Sequence, residues 1–62
     1  MTYDPDRFRK ARQARGWSQV RLAQEAGLSA STIEKYEQGR RTPSAENFES
    51  MVNALGLSEE VN

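Results

Sequence analysis

Ser31, Glu34, Lys35 and Gln38 are spaced so that a helix would carry them on one face. A hydroxyl, a carboxylate, an ammonium and an amide then lie along one short line, offering both donors and acceptors. That is a surface for recognition through hydrogen bonds. On its own, such a face is more often an ordinary solvated surface. Two further charges fall where packing would not place them. At about 100° per residue, Arg12 lies about 40° from Phe8, and Glu37 lies about 40° from Ile33. Both are inward positions, and charges are seldom buried unless paired. The pattern predicts an ion pair between Arg12 and Glu37, tying a first helix to the end of a third. Arg15 shares the face of Arg12 and competes for Glu37. The alternative is that both side chains snorkel outward.

The 62 residues contain no Cys and no His. Disulfides and thiolate metal sites are excluded, and the commonest general base and metal ligand is missing. Catalysis would fall to carboxylates, Lys35 or serines, and the serines that stand out serve as helix caps or belong to the polar face. Neither a Gly-rich phosphate loop nor a metal-spaced carboxylate cluster is present. The expectation is a binding protein, not an enzyme, with no metal or cofactor.

A chain of 62 residues buries only about 60% of its unfolded surface, which disfavours a deep enclosed cavity. Its hydrophobic fraction is 35% and its charged fraction 29%. No apolar run approaches about 18 residues, and the N-terminus has no signal-peptide apolar region. A membrane or classically secreted protein is not expected, and a cytoplasmic location is. Net charge is zero, but residues 1–41 carry all nine basic groups against five acids, a surplus of four. Residues 42–62 carry four acids (Glu46, Glu49, Glu59 and Glu60) and no base. Any attraction to a polyanion must therefore be local.

The elements that hold these groups are marked by glycine and serine. Gly16, Gly27, Gly39 and Gly56 each follow a stretch that reads as helix. Ser18, Ser29 and Ser58 come two residues after a glycine, and serine is a favoured N-cap. The apolar residue before each cap can staple to position N4: Trp17 to Leu22 and Leu28 to Ile33. Ser44 opens a further helix with Phe48 at N4. Asp4 caps the first, with Pro5 at N1. Helices are expected over about 5–15, 19–26, 30–38 and 45–55, with no strands. Ser58-Glu59-Glu60 reads as the start of a short fifth. Residues 1–62 read as a single domain.

The inward stripes are Phe8 and Ala11; Leu22, Ala23 and Ala26; Ile33 and Tyr36, with Ala30 at the margin; and Ala45, Phe48, Met51, Val52 and Leu55. Trp17, Leu28 and Leu57 fill the joints. The second and third helices are short and joined by a tight turn holding Gly27. That is a helix-turn-helix, whose second helix enters the DNA major groove.

The stretch from Trp17-Ser18-Gln19 through Leu22-Ala23, Ala26-Gly27-Leu28-Ser29, Thr32-Ile33, and Tyr36-Glu37-Gln38-Gly39-Arg40-Arg41-Thr42-Pro43-Ser44 to Ala54-Leu55-Gly56-Leu57-Ser58 resembles the phage lambda repressor/Cro-type helix-turn-helix family, the xenobiotic-response-element-like regulators. The resemblance covers about Phe8 to Ser58. It implies a compact all-α DNA-binding domain of four to five helices, without metal or cofactor, in a bacterial or phage transcription regulator. Gln19 matches a phosphate-holding position. Ser29, Ala30, Ser31, Glu34 and Lys35 match base-reading positions. Arg40 and Arg41 match a loop that grips the backbone, and Arg12 and Glu37 match a structural ion pair. Double-stranded DNA is the implied partner, in the cytoplasm at the nucleoid, with homodimerisation left open. The other reading is a protein-interaction module on the same fold, such as an antitoxin of a toxin–antitoxin pair or a coactivator, using Glu46, Glu49 or Val20.

Overall fold

The fold is taken from a computed structural model, which describes residues 3–57. Four α-helices follow one another: α1 (Pro5–Ala14), α2 (Gln19–Ala26), α3 (Ala30–Glu37) and α4 (Ala45–Leu55). No strand occurs among the described residues. The fifth helix expected from Ser58 lies outside them.

Each helix starts at a residue whose side chain accepts a free backbone N–H. Asp4 takes the N–H of Asp6, Ser18 that of Arg21, Ser29 that of Thr32 and Ser44 that of Asn47. α1 and α3 each end one residue earlier than the sequence pattern suggests, with Arg15 and Gln38 as C-caps. α2 ends at Gly27 with φ +73°, and the N–H of Leu28 closes the turn on the Ala23 carbonyl at 2.8 Å. Glycine adopts that left-handed conformation without the penalty a side chain would bring. Gly56, at φ +68°, is constrained twice over, because a Cβ there would sit 2.7 Å from Arg15 Nη2.

α2 packs against both α3 and α4, and α1 packs against α3. Phe8, Leu22, Ile33 and Met51 are completely enclosed, with Ala23, Tyr36, Val52 and Leu55 buried around them. Ala11, Trp17, Ala26, Leu28, Ala30, Phe48, Ala54 and Leu57 pack at the margin of this core. Two placements depart from the sequence pattern. Ala45 is exposed: it is the first residue of α4 and projects beyond the core. Tyr3 joins the core, its ring 5.2 Å from that of Phe8, 6.3 Å from Tyr36 and 6.4 Å from Phe48. Tyr3 precedes the cap Asp4 and Phe8 stands at N4, so the pair is a hydrophobic staple like those expected at the other helix starts. No helix among the described residues is long and apolar enough to cross a membrane.

Candidate nucleic-acid interface

α2 and α3 are separated only by Gly27, Leu28 and Ser29, which makes the pair a helix-turn-helix. The apolar residues of α3, Ile33 and Tyr36, are buried in the body of the molecule, while Ser31, Glu34 and Gln38 are exposed. Lys35 is half-buried beside them, as suits a long side chain whose apolar stem can pack while its charged end stays in water. Arg40 and Arg41 follow on the exposed loop. Ala30 is half-buried, and Ser29 is exposed, with its hydroxyl serving the helix start. That hydroxyl accepts from the Thr32 N–H at 3.1 Å and lies 2.8 Å from Thr32 Oγ1. Along the outer face, Gln38 Nε2 reaches Glu34 at 3.5 Å, and Arg40 Nη1 reaches Gln38 Oε1 at 3.4 Å. These long, exposed contacts break easily in favour of a ligand.

The underside is held by charge. Arg12 Nε donates to Glu37 Oε2 at 2.7 Å and Arg12 Nη2 to Oε1 at 3.0 Å. This is a two-point pairing, with the side chains only 11% and 3% exposed. Arg12 Nη1 donates to the Trp17 carbonyl at 2.8 Å, so the guanidinium also fixes the corner between α1 and α2. Arg15 is engaged elsewhere, donating through Nε and Nη2 to the Leu55 carbonyl at the end of α4, at 3.2 and 2.9 Å. Arg15 and Arg21 also lie over the Trp17 ring, at 5.2 and 4.9 Å.

A helix leaves its last four carbonyls without helical partners. In α3 each is met. Glu34 O takes the N–H of Gln38, Lys35 O that of Arg40, and Tyr36 O both the N–H of Gly39 and the Tyr3 hydroxyl at 2.9 Å. Glu37 O is approached by Arg9 Nη1 at 3.5 Å. Asn47 Nδ2 donates to the Tyr36 hydroxyl at 2.9 Å, linking the start of α4 to the same end. Burial pushes the Tyr3 phenol up to about 12, helped by the negative charge of Glu37, so it remains a donor through the neutral range. Among the described residues no buried side-chain nitrogen or oxygen lacks a partner.

Gln19 does not simply face outward. Its Nε2 donates to Glu37 Oε1 at 3.0 Å, bringing the start of α2 to the end of α3. The contributions of Tyr3, Arg9 and Asn47 escape a reading of the sequence, and Arg15, expected as a rival for Glu37, bonds the Leu55 carbonyl instead. Only Tyr3 carries a local signal, its position just before an N-cap. The described residues contain no group of acids that could hold a metal ion.

A short capped helix locked underneath, with an open polar top and a paired helix crossing it, defines a helix-turn-helix domain. Residues 6–61 match the family described as a helix-turn-helix domain. Similar proteins include multiprotein-bridging factor 1 of Schizosaccharomyces pombe, 37% identical over 50 residues, which cover 81% of this chain and 34% of that protein. The SPbeta prophage-derived uncharacterized HTH-type transcriptional regulator YonR of Bacillus subtilis is 34% identical over 53 residues, covering 86% of this chain and 49% of that one. The chain thus spans half or less of these relatives. No solved structure matches it. The chain belongs to the helix-turn-helix domain family, of the lambda repressor/Cro-like kind, a family of DNA-binding transcription regulators.

Proposed function

We propose that this chain binds double-stranded DNA sequence-specifically, as the reading head of a transcriptional repressor, with α3 in the major groove. The observation that carries this reading is the asymmetry of α3. Its inner side is fixed by the Arg12–Glu37 pair, and Ser31, Glu34 and Lys35 stand at the surface. In this reading Lys35 donates to guanine O6 and N7, and Glu34 accepts from cytosine N4. Ala30 meets a thymine methyl, and Ser31 bonds to either kind of edge. Ser29 presents the start of the helix to the groove. Arg40 and Arg41 hold backbone phosphates, and Gln19 donates to another. The work is binding rather than catalysis, and its setting is the cytoplasm, at the nucleoid.

A homodimer of such a chain would read two half-sites about 34 Å apart. Selection from a random duplex pool tests the proposal. It predicts an enriched motif, palindromic if two copies bind together. No preference for any duplex at low salt, even with the chain fused to a dimerising partner, would refute it.

A protein-interaction role is the second reading. A relative bears the name multiprotein-bridging factor, and Val20 is 53% exposed on α2. Co-purification of a partner lost on Val20→Ser, with duplex binding unchanged, would favour it.

A further inference from the structure

Glu37 accepts three hydrogen bonds on a carboxylate that is 3% exposed. Two come from Arg12 and the third from Gln19. An ionised carboxylate can only accept, so Gln19 must present its NH2 to Glu37 and turn its carbonyl oxygen away. That fixes the amide in one of its two orientations. The NH2 carries a second hydrogen, and Gln19 is half-buried rather than enclosed. Glu37 is followed in the chain by Gln38, Gly39, Arg40 and Arg41. Gln19 therefore sits at the same end of α3 as the two exposed arginines. A polyanion held by those arginines would pass beside its free N–H.

We infer that Glu37 is a positioning residue for binding the DNA backbone. Its carboxylate aims the Gln19 amide at a phosphate, so a single enclosed group both seats α3 and orients a donor on α2. The inference rests on the DNA-binding reading and adds a dependence to it: the Gln19 contact exists only while Glu37 holds the amide. Arg12 completes the arrangement, because its two bonds fix the carboxylate that fixes the amide. Among the described residues, the charge on Glu37 faces Arg12, Gln19 and the Tyr3 phenol, and Oε1 is shared between Arg12 and Gln19.

The test is a double-mutant cycle on a duplex of mixed sequence at low salt, which needs no operator because backbone contacts operate on any sequence. Q19A should weaken binding about tenfold, the scale of one hydrogen bond to a charged group. E37Q should weaken binding by at least as much in the wild-type background, and by several-fold less in the Q19A background. Thermal melts identify any loss of fold. If the two factors simply multiply, Glu37 acts on the fold alone and the inference is wrong.

Should E37Q unfold, the side-chain amide protons of Gln19 in the wild-type chain give the answer. One should exchange slowly in the free protein and the other should shift on adding the duplex, with exposed Gln24 as the reference. Two Gln19 protons that behave like those of Gln24 would overturn the inference. A wild-type chain that binds no duplex removes the DNA-binding reading and this inference with it. Binding with multiplying factors removes only the inference.

Discussion

Glu37 and Glu34 are carboxylates one helical turn apart on the same eight-residue helix, and they live in different surroundings. Glu37 is almost fully enclosed and accepts from Arg12 twice and from Gln19 once. Glu34 is exposed, and its contact is a 3.5 Å approach by Gln38. The inner group is specified by partners on two other helices. Among the described residues the outer one is held only by that loose approach, which a ligand can displace. A recognition helix needs both conditions at once: a rigid back, so that orientation costs little on binding, and a front whose hydrogen bonds are not already committed.

The largest effect expected from this contrast is on stability. Glu37→Ala leaves the Arg12 guanidinium enclosed without its acid and should destabilise the fold by about 3–5 kcal/mol. Glu34→Ala should stay within about 0.5 kcal/mol. Urea denaturation measures both, and equal losses would erase the distinction between the two faces. On the outer face the order reverses. Lys35→Ala should cost about 1–3 kcal/mol of discrimination at one base pair, with the urea midpoint unchanged. Binding to a panel of duplexes substituted at single positions reads this out.

Ser29 stands at the border between the faces, since its hydroxyl caps α3. Ser29→Ala should destabilise by about 1 kcal/mol, and a thermal melt will detect it. Arg41→Ala should weaken all duplexes alike and lower the slope of log affinity against log salt by about 1. The smallest effect is on pH. The Tyr3 phenol moves from its ordinary 10.0 to about 12 in the folded chain. The unfolded chain therefore ionises first, and the contribution of Tyr3, complete below about pH 10, should be lost as pH rises through the folded value. In denaturation profiles at alkaline pH, Tyr3→Phe should flatten this part of the decline.

The same contrast decides what could be read from the residues alone. Caps and helix spans are local. Asp4, Ser18, Ser29 and Ser44 announce the four starts, and Gly27 and Gly56 mark two of the ends. The Arg12–Glu37 pair is distant in sequence yet legible, because each charge breaks the apolar face of its own helix. Tyr3 was legible in principle by its place before Asp4. Arg9 on the Glu37 carbonyl and Asn47 on the Tyr36 hydroxyl were not, because each is a polar residue on a polar face, and Arg15 stood out only as a rival for Glu37, with nothing to mark the Leu55 carbonyl as its acceptor. Their targets are backbone or hydroxyl oxygens brought within reach only by the packing of other helices. The bond from Gln19 to Glu37 arises in the same way. The outer face of α3 is visible as a pattern, but its donors and acceptors allow several bases at each position, so the sequence does not spell a target.

DNA reading by this domain requires α3 to enter a groove with its polar side. Backbone amide shifts on adding a duplex enriched from a random pool test this most directly. The expected result is that the largest changes fall within residues 29–35 and 38–41, with α4 around Glu46 and Glu49 little affected. Changes centred on α4, with Ser31 and Lys35 unmoved, would contradict it.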